Sequence, residues 1–250
     1  MVKEIPIPSR SSESAAKFLS AVVIGFTLLT ASTASADAQT LNRAFIVSPE
    51  RSELEVVNQE GMIKVTAVPN SSRIVVNARQ GAGAARIDAS QDALGKVKIE
   101  VTGKGRVDFE IAVPASSSIN LLSYRGAIMV TNLAGAVRAR VTDGDIRIDG
   151  MRSAKVEAHC SQGNVIFSGD VLPSGRYILK SFSGRVEVTL PADANFNLSA
   201  SSFRGGMDLN AFQMKFNKRS PHVVEASRGA GGASISLWTQ EGSIHLYRKP

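Results

Sequence analysis

The densest acidic cluster in the chain is Asp143-Gly144-Asp145-Ile146-Arg147-Ile148-Asp149. Carboxylates alternating beside a glycine turn have suitable chemistry for Ca²⁺, which takes about six to eight oxygen ligands. The spacing, however, matches neither an EF-hand loop nor the Gly-Gly-x-Gly-x-Asp repeat of Ca²⁺-binding solenoids. On a strand, Asp145, Arg147 and Asp149 all point outward on one face, so the cluster reads as a solvated charge ladder. Glu187 and Asp208 suggest a second chemistry, because glycosidases flank the bond they break with two carboxylates. If these two residues stand one coil apart in a stack, their strands lie about 4.8 Å from each other and the carboxylates pair.

Other chemistry is sparse. His159, His222 and His245 lack metal-ligand spacing. The sequence has no Gly-x-Ser-x-Gly elbow, phosphate-binding loop or dinucleotide fingerprint. Gly229-Ala230-Gly231-Gly232 is flexible, but no helix follows it to hold a phosphate. Cys160 is the only cysteine, so no internal disulfide can form. Its column in the repeat described below holds small residues, and it reads as a buried filler rather than a reactive thiol. Trp238, the only tryptophan, reads as a rim residue covering the end of the stack. No catalytic residue, metal site or cofactor follows from these motifs.

The element that must position all of these residues is a repeat: apolar, any, apolar, any, small, any, any, Gly, any, apolar, any, apolar. It runs through Leu54–Val65, Ile119–Val130, Val137–Ile148, Val156–Phe167, Tyr177–Val188, Leu198–Leu209 and Ile235–Leu246. A looser copy, one residue longer in the turn, is Val97–Phe109. Alternation puts successive side chains on opposite faces of a strand. Each copy is therefore two short strands joined at a glycine, where the chain bends without a Cβ. From Gly126 the glycines step by 18, 19, 21 and 21 residues. That spacing predicts an all-β fold, a β-solenoid or parallel β-helix-like stack of short strands with 18–21-residue coils. Ile128, Ile146, Val165, Val186 and Met207 would form one apolar ladder. A series of antiparallel hairpins would also satisfy the alternation; the fixed register of one template favours the solenoid.

Residues 1–38 read as a secretory signal. Lys3, Arg10 and Lys17 precede a 13-residue apolar run, Phe18–Thr30. That run falls short of the roughly 20 residues a membrane span needs. Ala34-Ser35-Ala36 and Ala36-Asp37-Ala38 offer cleavage after Ala36 or Ala38. Residues 39–250 then form a single domain with no membrane span, located outside the cytoplasm, either periplasmic or secreted. The net charge of +7 becomes +6 once residues 1–36, with three basic and two acidic side chains, are removed. A basic domain is drawn to polyanions such as lipopolysaccharide, teichoic acid or anionic lipid.

Three corners carry proline, at Val68-Pro69, Val113-Pro114 and Leu190-Pro191; proline marks strand ends because it cannot donate to a ladder. The Ala- and Gly-rich stretch from Gly81 to Asp92 breaks the alternation and reads as a loop. Between Gly205 and Gly242 the spacing jumps to 37 residues. An irregular insertion at about 210–232 leaves the repeat there, as either a degraded coil or an excursion. It gathers Lys215, Lys218, Arg219 and Arg228, the candidate contacts for a polyanion.

Several stretches resemble the bacterial putative-adhesin family, a group of extracytoplasmic domains of undefined function. They are Phe109-x-Ile111-x-Val113-Pro114, Thr142-Asp143-Gly144-Asp145-Ile146, Ser183-Gly184-Arg185-Val186-x-Val188-x-Leu190-Pro191 and the region from Gly229 to Leu246. The resemblance covers roughly residues 45–248. It implies a solenoid-like fold and an envelope location, and it carries over no catalytic residues. Together these readings point to a non-enzymatic envelope module whose partner is an envelope polyanion or an envelope protein, with no specific nucleic acid. The alternatives are a polysaccharide-active enzyme using Glu187 and Asp208, and an accessory protein of an envelope-stress system.

Overall fold

The computed structural model describes residues 40–249. The signal segment expected at 1–38 lies outside the described residues. The described chain is built from strands. The first group is β1 (Thr40–Ile46), β2 (Glu53–Glu60), β3 (Ile63–Val68), β4 (Arg73–Gly83), β5 (Arg86–Gln91), β6 (Lys96–Thr102) and β7 (Gly105–Pro114). The regular coils follow as β8 (Ser118–Arg125) with β9 (Ile128–Thr131), β10 (Val137–Asp143) with β11 (Ile146–Met151), β12 (Lys155–Gln162) with β13 (Val165–Gly169), and β14 (Arg176–Ser183) with β15 (Val186–Leu190). The last group is β16 (Phe196–Arg204), β17 (Met207–Asp208), β18 (Lys215–Arg219), β19 (Val223–Arg228), β20 (Ala233–Glu241) and β21 (Ile244–Arg248).

Each repeat copy is a pair of strands that bend at the glycine into two different sheets. One sheet runs β1-β4-β7-β3-β9-β11-β13-β15-β21-β17, and the second runs β5-β6-β2-β8-β10-β12-β14-β20-β16-β19-β18. Successive coils pair in parallel, with Val137 opposite Ile119 and Val156 in the second sheet, and Ile146 opposite Ile128 and Val165 in the first. Parallel pairing in constant register is the solenoid arrangement and rules out the hairpin series for these coils. The alternation sets the core. In β8, Ile119, Leu121 and Ser123 are buried, while their neighbours face outward. The two inner faces meet in one continuous apolar cluster. Pro114 and the residues before Pro69 and Pro191 end strands, as expected of corners.

Three features differ from the sequence expectation. First, coil order departs from chain order at both ends. The last copy, β20–β21, inserts between β14–β15 and β16–β17, so Ile244 separates Val186 from Met207 in the ladder. The reason is packing. Ile235, Leu237, Ile244 and Leu246 are all buried, whereas β17 is two residues long and Met207 is only half-buried. The more apolar copy takes the place with neighbours on both sides. At the other end, β6–β7 lies outside β2–β3. Its register is also shifted: Phe109, not Val107, stands opposite Ile63.

Second, the stretch Gly81–Asp92 is not a loop. It holds the end of β4 and all of β5, which pair antiparallel with β7 and β6. β5 has no fully buried residue. A strand at a sheet edge is held by its backbone ladder and can do without an apolar face, which is why alternation missed it. Third, the 205–242 interval is an excursion. It forms the antiparallel hairpin β18–β19, laid along the outer side of β16.

Candidate functional site

The distinctive small residues of the repeat act between coils. Ser181 donates its hydroxyl to the Gly163 carbonyl at 2.8 Å, Ser202 to Gly242 at 3.0 Å and Thr239 to Gly184 at 3.0 Å. Cys160 does the same with its thiol, to the Gly144 carbonyl at 3.0 Å. It is buried, and burial followed by the nearby Asp145 and Asp143 pushes its pKa up to about 12. It is a structural donor, and the filler reading holds. The carboxylate of Asp145 accepts from the Asn164 backbone N–H at 2.7 Å and from its side-chain amide at 3.2 Å. Asn164 in turn accepts from the Arg185 N–H. Arg147 binds Asp149 at 2.6 Å. The acidic cluster therefore serves the turns of the stack. Among the described residues no group of three His, Cys, Asp or Glu side chains is placed to hold a metal ion.

The Glu187–Asp208 pair does not form. Strand β21 runs between β15 and β17, and His245 stands opposite both residues. Glu187 is held by Arg185 at 3.2 Å, and Asp208 accepts from the Asn210 amide at 3.1 Å. The inserted coil that reorders the stack thus removes the proposed glycan-cleaving constellation. A cleft of about 600 Å³ follows the corners past Pro69, Ala115, Asn132 and Gly150. Its charged residues are Arg152, Asp170 and Lys249, with no histidine or cysteine beside its Ser168.

The four basic candidates separate into two groups. Lys215, Lys218 and Arg219 lie on β18, an edge strand exposed along its whole length. None of the three is within ion-pair distance of a carboxylate among the described residues. Arg219 sits over the Phe216 ring, 4.6 Å from its centroid. Arg228 is different. Its guanidinium donates to the carbonyls of Ala194 and Ala192 and packs over Phe212 at 5.0 Å. It clips the corner after β15 in place, so little of its charge is free for a ligand.

Trp238 is not at the end of the stack. It lies on β20, with Lys180 of β14 on one side and Ser201 of β16 on the other. Its ring is 6.4 Å from Phe182, which is 53% exposed. Phe203 and Tyr124 are exposed at the same template position as Phe182, and Phe203 lies 6.3 Å from the His222 ring. Sequence reasoning missed these aromatics, although a signal was present: the residue after the small position always points outward, and here it is aromatic in three copies.

A family model described as Toastrack DUF4097 matches residues 46–247. No curated protein matches the sequence. Among solved structures, a putative cell adhesion protein from Clostridium sporogenes ATCC 15579 is similar at 12% identity and a TM-score of 0.47, covering 84% of this chain and 100% of its own. A putative adhesin from Bacteroides fragilis NCTC 9343 is similar at 12% identity and a TM-score of 0.38, covering 83% and 97%.

Proposed function

We propose, from the premise that this chain belongs to the Toastrack DUF4097 family, that it is a non-enzymatic binding module of the cell envelope, working outside the cytoplasm and attracted to anionic surface polymers. The observation that carries this reading is the exposed edge strand β18, with three cations and no ion-pair partner among the described residues. Charges on an edge strand also guard it against pairing with other chains, and a polyanion can use them without disturbing the core behind. The location rests on the apolar run and small-residue cleavage pattern of residues 1–38.

The test is binding to lipopolysaccharide, teichoic acid and anionic vesicles across a salt series. Affinity should fall steeply with salt, since surface charges are screened over about 10 Å at about 0.1 M. Replacing Lys215, Lys218 and Arg219 together by serine should weaken binding and leave the melting temperature unchanged. Binding that ignores both salt and substitutions refutes the electrostatic account and favours a protein partner at a sheet edge. Protein recovered from its host should begin at Asp37 or Gln39 by mass spectrometry; an intact Met1 refutes the location.

A further inference from the structure

We infer that the outer face of the second sheet, where β14, β20 and β16 run side by side, is a binding strip for an acidic glycan. It lies apart from the basic edge and goes beyond the charge attraction proposed above. Phe182 and Phe203 are 53% and 57% exposed, two strands apart, with Gln240 level with both. Trp238 stands on the strand between them, its ring 6.4 Å from Phe182. The hairpin β18–β19 brings His222 to the far side, 6.3 Å from Phe203. Three rings thus cross the face on strands, and His222 in the turn between β18 and β19 adds a fourth at its margin.

The pattern between the rings identifies the occupant. A stable protein interface has a contiguous apolar centre, but here the rings fall into two pairs, Phe182–Trp238 and Phe203–His222, with Gln240 on the strand between Phe182 and Phe203 and Ser201 beside Trp238. A sugar matches this alternation, since its C–H face stacks on an aromatic ring and its hydroxyl rim hydrogen-bonds to amides and hydroxyls. Strands in a sheet repeat at about 4.8 Å, close to the advance per sugar of an extended (1→4)-linked glycan, so a chain lying across the strands meets about one strand per sugar.

Charge then selects an acidic glycan. Lys180 stands directly beside Trp238 and has no carboxylate within ion-pair distance among the described residues. It continues a row through His159 to Arg140, which shares Glu157 with Arg138. The strip therefore offers stacking rings flanked by an uncompensated cation, suited to a uronate or sulfated sugar. Because Phe182, Trp238 and Phe203 sit on paired strands, little ordering cost opposes binding.

Trp238, the only tryptophan, reports on its own site. Its fluorescence should be titrated with polygalacturonate, neutral dextran and polyphosphate at physiological salt. Polygalacturonate should bind and change the emission; dextran should bind more weakly, and polyphosphate should leave the emission unchanged. Phe182→Ser and Phe203→Ser should each weaken polygalacturonate binding about ten-fold, in line with stacking on exposed aromatics, with no change in melting temperature. Lys180→Ser should abolish the preference over dextran. The serine variant of Lys215, Lys218 and Arg219 should bind polygalacturonate as the parent does. The inference is overturned if polygalacturonate does not bind, if polyphosphate or dextran equals it, or if only the edge-strand variant loses binding. It is also overturned if light scattering finds a dimer that Phe182→Ser and Phe203→Ser dissolve, since the strip would then be a protein interface.

Discussion

A glycine turns the chain in every regular coil, and at Cys160, Ser181, Ser202 and Thr239 a small side chain donates to the glycine carbonyl of the neighbouring coil. Gly144 has φ +141, a conformation L side chains rarely adopt, and a Cβ added there would collide with the Gly126 carbonyl of the neighbouring coil. Gly144→Val should therefore destabilise by about 1–3 kcal/mol through backbone strain. Cys160→Ser should cost about 1 kcal/mol or less, because serine donates to the same kind of carbonyl at positions 181 and 202. Denaturant midpoints of the two variants check the order; a neutral Gly144→Val with a severe Cys160→Ser would refute the turn geometry. The glycine and the small column were legible from the sequence as a pattern. The hydrogen bond that Cys160, Ser181, Ser202 and Thr239 make from that column was not, because it runs between coils 16 or more residues apart in the chain.

At the scale of elements, the irregular interval shows how far composition alone can mislead. Lys215, Lys218, Arg219 and Arg228 are alike in sequence, yet three of them line the exposed β18 and the fourth fastens a corner. Arg228→Ser should lower stability by about 1.5–3 kcal/mol, the range for hydrogen bonds made by a charged group. Lys215→Ser and Lys218→Ser should each stay within about 0.5 kcal/mol, as is usual for surface positions. Thermal melts of the single variants decide this, and an Arg228→Ser melt equal to the parent would refute the clip. The hairpin itself was not legible as structure, because edge strands need no alternating face. The same holds for β5, where Gly81–Asp92 read as a loop.

At the scale of the whole molecule, charges are arranged in ladders across coils, and these make stability depend on pH. His159 is half-buried; burial lowers its pKa below the ordinary 6.5, with Glu157 opposing and Lys180, Arg140 and Arg138 adding to the fall. Burial raises the carboxyl pKa values of Asp108 and Glu157, but their hydrogen bonds and arginine partners outweigh it and leave both below their ordinary 3.8 and 4.5. In all three cases the unfolded chain binds protons more readily, so stability is full above the unfolded value and is lost as pH falls. The melting temperature should hold from neutral pH to about 6.5, drop below it as His159 is forced to charge, and drop again through the carboxylate range. His159→Gln should remove the first drop. A flat profile from pH 7 to 5 in the parent would refute the assignment.

The chain's own residues determined the two-strand coil, its glycine turn and its buried columns, because alternation and a positive-φ requirement act over a few neighbouring positions. Leu121, Ala139, Ala158 and Leu179 face inward wherever their coil is placed. Which coil stacks on which was decided only in three dimensions. Every copy presents the same alternating face, so any copy can pair with any other, and the choice falls to packing: Ile235, Leu237, Ile244 and Leu246 take an interior slot and leave Met207 at the edge. That one placement separates Glu187 from Asp208, sets Trp238 between Phe182 and Phe203, and turns residues of distant copies into neighbours on one face.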